Sequence, residues 1–323
     1  MFVLEAVVLL APQLVSAEWH QQQKTMMGTV VTVDLWAEDA IQGKAWAAAV
    51  IAEFARIDRL MSTYKADSEL STINRDAGLA PVGLGAELHG LIGRALALSV
   101  TTEGAFDITY ESVGYLYDFR ARQRPDVDSI AARLDAIDYR AVKLNADPRQ
   151  IQFTKPGMRL NLGGIAKGYA VERGAAILRD VGVRHAVLSA GGDTRVLGDR
   201  RGQPWLVGIR NPRKQGSVVT RLPLVDEAIS TSGDYERFFV EDGVRYHHII
   251  NPATGMPSMG VQSATVVGPD ATITDALSTA MFVLGIERGL RVIETLPEYE
   301  AVIVDDEGQL FYSDGLMVPA VAP

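Results

Sequence analysis

Four stretches of this chain carry side chains whose types and spacing could do chemistry: NLGGIAKGYAVER from Asn161, STSGDYERFF from Ser230, RYHHIINPATG from Arg245 and TDALSTAMFVLG from Thr274. In the first, Gly163 and Gly164 allow close backbone approach to a ligand. A helix starting near Ala166 would aim its free N–H groups at an anion. Lys167 adds a full positive charge to that first turn, where a cation is unfavourable for the helix alone. The pattern G-x-x-x-x-G-K-S/T is absent, so this is not a Walker A loop. On spacing alone, a glycine turn packed under a strand with a solvent-exposed lysine fits slightly better.

Asp275 and Thr279 stand four residues apart on a predicted helix and share one face. A carboxylate, a hydroxyl and nearby backbone carbonyls form an all-oxygen set suited to Mg2+, which completes its shell with phosphate and water. The plainer alternative is an acid at a helix N-terminus with a threonine packed on its flank. Asp275 is expected on the helix surface, facing a cleft, with little packing role. His247 and His248 end a predicted strand, so their side chains point to opposite faces and at most one meets a given cleft. A histidine so placed is a candidate general base near neutral pH. Ser189-Ala190-Gly191-Gly192-Asp193 could admit a nucleotide or simply reverse the chain. Met27-Gly28-Thr29, Met61-Ser62-Thr63-Tyr64 and Gly104-Ala105-Phe106-Asp107 offer apolar and aromatic groups of the kind that stack on flat rings, and each alone suits a core better.

The elements that must position these groups are partly readable. Thr29 to Trp36 alternates like a strand. Asp39 to Met61 is helical in pattern, with Val50, Phe54, Ile57 and Met61 on one face. A second helix spans Ala86 to Val100 with Leu88, Leu91, Ile92 and Ala95 inward, and Pro125 to Ser129 reads as a loop. The helix from Ala166 stops at Gly182. Short strands are predicted at Ala186–Ser189, Trp205–Ile209, Val218–Leu222, Arg237–Val240 and Arg245–Ile250. A helix from Ala271 to Leu284 is closed by Gly285. Helices and strands mix without a regular βαβ rhythm, which argues for an α+β fold, and no G-x-G-x-x-G follows a strand.

Composition narrows the function classes. With 323 residues, 47% hydrophobic and 22% charged, the chain has the material for a sizeable core. A net charge of −9 without a basic run disfavours nucleic acid and anionic membranes as partners. The absence of cysteine removes disulfides, thiolate zinc sites, a catalytic thiol and a lipid-attachment cysteine. Residues 1–17, MFVLEAVVLLAPQLVSA, resemble the apolar region and small-residue cleavage site of a secretory signal, without the usual basic start and with Glu5 in its place. The stretch is short for a membrane span. The expected organisation is a signal over 1–17 and one domain over 18–323, with a periplasmic protein that is not inserted in the membrane once the signal is cleaved.

Taken in order, MGT at 27–29, MSTY at 61–64 followed by DSEL and Asn74, GAFD at 104–107, LGGIAKGYAVE at 162–172, AGGD at 190–193, TSGDYERFF at 231–239, HIINPATG at 248–255 and DALSTA at 275–280 resemble the ApbE family of flavin transferases. The likeness runs from about residue 25 to 315. It implies an ApbE-type, T-fold-like α+β domain of mixed, mainly antiparallel sheets with flanking helices, and an active site in the cleft between two lobes. It also implies a Mg2+-dependent enzyme that splits FAD, transfers the FMN half to a Thr or Ser hydroxyl of a target flavoprotein and releases AMP. The acceptors it implies are redox-pump subunits with a periplasmic flavin domain. Carried over residue by residue, the resemblance makes Asp275 and Thr279 metal-binding side chains and the Gly164 carbonyl a backbone ligand. It places Lys167 near the FAD phosphates and makes His248 the base. Met27, Tyr64, Ala105, Phe106, Asp107, Asn161 and Ile250 fall at flavin- or adenine-contacting positions. The chain departs from the family pattern at Asn161 and Glu172, each usually Asp, at Ala253, usually Arg or Lys, and at Thr274, usually Ala. Asn251 replaces the Asp of the usual D-P-(R/K)-T-G, and the segment after Asp107 lacks its usual Pro and Trp.

Transfer to a protein hydroxyl, FAD pyrophosphatase activity with water as nucleophile, and non-catalytic flavin binding or delivery all fit these residues. A large ring at Tyr64 would hold the flavin side closed to water and so favour transfer. Cleavage after Ala17 is the expected processing event. Edman sequencing of protein from a periplasmic extract should begin at Glu18, and an intact Met1 in the cytosol would overturn that expectation.

Overall fold

A computed structural model describes residues 17–317; the expected apolar signal segment lies outside them, apart from Ala17. Eight strands form one sheet in the order Glu18–Met26, Thr29–Ala37, Ala186–Ala190, Asp193–Leu197, Ala228–Gly233, Val261–Gly268, Glu300–Asp305 and Leu310–Tyr312. Every neighbouring pair in this sheet is antiparallel. The α+β expectation holds. The sheets are wholly antiparallel among the described residues, where a mixture was expected.

Three long helices, Ala40–Met61, Ala166–Asp180 and Ala271–Ile293, pack against this sheet and against one another. The first starts where the Asp39 carboxylate accepts the N–H groups of Ile41 at 2.8 Å and Gln42 at 2.9 Å. Its face of Val50, Phe54, Ile57 and Met61 is buried, as its spacing predicts, against Val31, Val33 and Leu35 of the alternating strand. The hairpin of Trp205–Arg210 and Val218–Leu224 joins a separate apolar cluster with Val196, Ile229, Val267 and Val302 of the sheet. A smaller sheet, ordered Val82–Gly83, Arg149–Phe153 and Val142–Ala146, accompanies the Ala86–Thr101 helix, whose predicted inward residues are all buried.

Strand Val261–Gly268 is buried at every position. Covered on both sides, it has no alternation to read, which explains why the sequence pattern left it unassigned. Strands Asp193–Leu197, Ala228–Gly233 and Glu300–Asp305 were missed for a related reason, since most of their residues are buried. Three other expectations need correction. Residues 125–129 are not simply a loop, because Asp126 accepts the Ser129 N–H at 2.7 Å and caps a helix over Val127–Leu134. The predicted Arg245–Ile250 strand ends at His247, and Ile250–Asn251 instead pairs with Met256–Pro257. Gly285 interrupts a helical run that continues to Ile293, its φ of 75° and ψ of −173° producing a kink rather than an end.

The Ala166–Asp180 and Ala271–Ile293 helices meet backbone to backbone. A Cβ on Gly168 would lie 2.0 Å from the carbonyl oxygen of Ala271. Glu172, one turn further, accepts the Ala271 N–H at 3.0 Å, and Asp270 accepts that of Thr272 at 2.7 Å, so two carboxylates hold the start of the second helix. Because the obstructing atom is backbone, Gly168→Ala should separate the helices. Overpacking of this kind costs about 1–3 kcal/mol or more. Thermal or urea unfolding should register that loss, and an unchanged midpoint would show that the contact is slack.

Candidate active site

The turn before the Ala166–Asp180 helix is organised by Asn161. Its Oδ1 accepts the Gly163 N–H at 2.7 Å, its Nδ2 donates to Glu111 Oε2 at 2.8 Å, and its main-chain N–H donates to Ile108 at 2.9 Å. Gly164 lies between two expected site residues. A Cβ there would sit 3.3 Å from Phe106 Cε2 and 3.3 Å from Thr279 Oγ1. The glycine therefore brings together the segment carrying Phe106 and the helix carrying Thr279.

Lys167 is not a solvent-exposed lysine beside a turn. Its ammonium pairs with Asp193 Oδ2 and lies 3.6 Å from Asp275 Oδ1. Burial disfavours its charge, but the carboxylates of Asp193 and Asp275 more than offset this and raise its pKa above the usual lysine value. Asp193 and Asp275 are 1% and 2% exposed. The expectation of a surface carboxylate at 275 is thus corrected: Asp275 is in the core, and its Oδ2 accepts the Gly168 N–H at 2.9 Å. Burial first, and then the neighbouring charge of Asp193, push the Asp275 pKa up. Two buried carboxylates share one ammonium, so the second negative charge is poorly compensated.

Hydroxyls gather one helical turn beyond Asp275. Thr279 Oγ1 lies 3.1 Å from Ser232 Oγ, which lies 2.9 Å from Ser278 Oγ. Poorly compensated negative charge and oxygen donors fit a hard divalent cation such as Mg2+. Among the described residues no three His, Asp or Glu side chains gather as a metal cluster. A cation held here would take its remaining ligands from backbone, water or phosphate.

The two histidines separate as expected, but not by strand alternation. His247, the last strand residue, is 2% exposed, bonds through Nε2 to the Ser258 carbonyl at 2.8 Å and packs edge-on to Phe282. His248 lies just beyond the strand, its N–H donating to the Arg237 carbonyl at 3.1 Å. Its Nδ1 is buried without a hydrogen-bond partner among the described residues. Burial, followed by the charge of Arg237, lowers the His248 pKa to about 3. The imidazole is accordingly neutral, the form that can accept a proton.

A family model of the ApbE family matches residues 27–303. The chain belongs to the ApbE family. A Treponema pallidum protein named FAD:protein FMN transferase is 32% identical over 317 residues, covering 92% of this chain and 88% of its own. A Vibrio cholerae protein of the same name is 36% identical over 268 residues, covering 77% and 79%. Among solved structures, the ApbE protein of Thermotoga maritima superposes with a TM-score of 0.86 at 33% identity, over 93% of this chain and 98% of that one. The flavin transferase ApbE of Vibrio cholerae gives 0.81 at 29% identity, over 92% and 98%.

In this ApbE-family chain the remaining candidate contacts are placed unevenly. Met27 sits in a turn with φ of 53°, while Ala105, Phe106 and Ile250 are buried. Tyr64 is 84% exposed, so its ring does not close the site in the free protein. Asp107 spends its carboxylate internally, accepting from Thr109 at 2.8 and 2.6 Å and from Tyr139 at 3.0 Å. The departures from the family pattern are accommodated locally. The hydroxyl of the fully buried Thr274 lies 2.9 Å from Ser230 Oγ, and Glu172 ion-pairs with Arg179 at 3.0 Å and Arg195 at 3.4 Å while capping Ala271. The motif spacing assigns no individual role to Asp193, Ser232 or Glu111. The first two lay in quoted motifs, AGGD and TSGDYERFF, and an acid directly after two glycines at a strand start was the available signal.

Different outcomes are expected for the two histidines. In single-turnover transfer, His248→Ala should lose about 10²–10⁴-fold in rate, the usual worth of a general base. His247→Ala should instead lose stability, because its imidazole fills core and bonds Ser258. In metal-free protein the His248 C2–H resonance should stay at its neutral position as pH falls from 8 to 5, since its pKa lies near 3. Titration near the ordinary value of about 6.5 would show that the ring is not held neutral.

Proposed function

We propose that this chain catalyses Mg2+-dependent transfer of FMN from FAD to a Thr or Ser hydroxyl of an acceptor flavoprotein, releasing AMP. The observation that carries this reading is the buried Lys167–Asp193–Asp275 cluster, with the paired Thr279 and Ser232 hydroxyls one helical turn beyond Asp275. It supplies a cation and excess carboxylate where a diphosphate needs both an ammonium and a metal. Asp275, Thr279 and the Gly164 carbonyl would hold Mg2+, which when bound neutralises developing charge on the diphosphate.

The chemistry of this chain's own residues follows. The acceptor oxygen attacks the phosphorus on the riboflavin side of FAD. The bond from that phosphorus to the bridging oxygen breaks, and AMP departs with the bridging oxygen and its electron pair. His248, neutral beforehand, takes the hydroxyl proton. Lys167, held as a cation by two carboxylates, faces the phosphates without giving up a proton. Met27, Phe106, Asn161 and Ile250 form the surroundings proposed for the rings. The expected acceptor is a redox-pump subunit with a periplasmic flavin domain. FAD pyrophosphatase activity is the second reading, favoured by the exposure of Tyr64, which leaves a route for water.

Incubation with FAD, Mg2+ and a candidate acceptor tests these readings together. Transfer should add the mass of FMN to the acceptor and release AMP. Pyrophosphatase activity would yield free FMN with the acceptor unmodified, and unchanged FAD would sink both. Asp275→Asn should lower Mg2+-dependent turnover by about 10²-fold or more, because a Lewis acid at a phosphoryl oxygen is worth several kcal/mol. Unchanged Mg2+ dependence in that variant would refute the assignment.

A further inference from the structure

Arg237 precedes the strand Phe238–Glu241 in the DYERFF run. It has no carboxylate partner among the described residues, whereas nearby Arg210, Arg213 and Arg245 pair with Glu236, Asp234 and Asp234. Its guanidinium lies over Gly28, where a Cβ would come within 2.4 Å of Nη2. Gly28 has a φ of 72°, in the turn that carries Met27. The same guanidinium field reaches Lys167, His248 and Tyr110, which places it on the site side of the hairpin. Its carbonyl also anchors the His248 N–H at 3.1 Å.

Arg237 is exposed, so its guanidinium can meet an anion that arrives from solvent. The charges already present show how large an anion the site can neutralise. With both carboxylates ionised around a bound metal, Lys167, Asp193 and Asp275 together carry one net negative charge. A divalent cation converts that to one net positive charge. The diphosphate diester of FAD carries two negative charges, so one more positive charge is needed at the site.

We infer that Arg237 is a substrate-binding residue that pairs with the diphosphate of FAD alongside Lys167, its guanidinium seated over Gly28. The inference rests on the proposed reading of FAD as substrate. A planar guanidinium fork suits phosphate oxygens, and Lys at this position would supply charge without the paired donors. Arg237 thus selects for a dinucleotide over a flavin lacking the diphosphate.

Calorimetric titration in Mg2+ buffer without acceptor tests it, with FAD, ADP and riboflavin as probes. Arg237→Gln should weaken FAD and ADP about 10–100-fold, the range of a charge-assisted hydrogen bond. Riboflavin affinity should stay within about twofold by the same reasoning, since it offers no phosphate to pair. Arg237→Lys should fall between the two proteins. FAD affinity unchanged in Arg237→Gln, or equal losses for FAD and riboflavin, would overturn the inference. Wild-type protein that binds FAD but never transfers FMN would sink the transfer reading alone. Wild-type transfer alongside unchanged FAD binding in Arg237→Gln would sink the arginine assignment alone.

Discussion

The contact between Gly168 and the start of the Ala271–Ile293 helix governs the site. Because residue 168 has no side chain, its backbone N–H reaches Asp275 Oδ2 at 2.9 Å and its Cα lies against the Ala271 carbonyl. That approach sets Lys167 beside Asp275. The strand Asp193–Leu197, next in the sheet to Ala186–Ala190, then delivers Asp193 to the same ammonium. Three elements far apart in sequence thus converge because two helices touch where a side chain would have kept them apart.

That convergence is electrostatically unfavourable by itself. Buried carboxylates are stable only when paired, hydrogen-bonded or metal-bound. Asp275 has one N–H donor and a share of one ammonium, and the adjacent Asp193 raises its pKa further. The fold holds this charge in place by anchoring both helix starts, with Glu172 and Asp270 on Ala271 and Thr272, and Asn161 on Gly163. In the proposed function, a bound cation would relieve repulsion that the folded chain has already accepted.

Residues that look weak by family pattern are embedded in compensating partners. Asn161 offers an amide instead of a carboxylate, yet it faces the buried carboxylate of Glu111, where a second acid would repel. Thr274 introduces a hydroxyl into a buried helix face, and Ser230 sits across from it at 2.9 Å. Glu172, one methylene longer than Asp, spans to the Ala271 N–H. These are exchanges between neighbours, and only the pair in each case makes physical sense.

The sequence by itself determined the ordered motifs, and with them the ApbE resemblance that the family match bears out. It also determined the helices whose buried faces repeat at helical spacing, such as Val50, Phe54, Ile57 and Met61, and the strand Thr29–Ala37, which is covered on one face and therefore alternates. Local physics suffices for such elements, because neighbouring residues carry the whole signal. The tertiary structure alone decided the rest. Strand Val261–Gly268 became legible only once both of its faces were seen to be covered. Asp275 moved from an expected surface to the core because a second helix packs over it. Asp193 gained its role from an ammonium 26 residues earlier in the chain. Pairing between distant charges depends on which backbones meet, and that leaves no mark in the spacing of either segment.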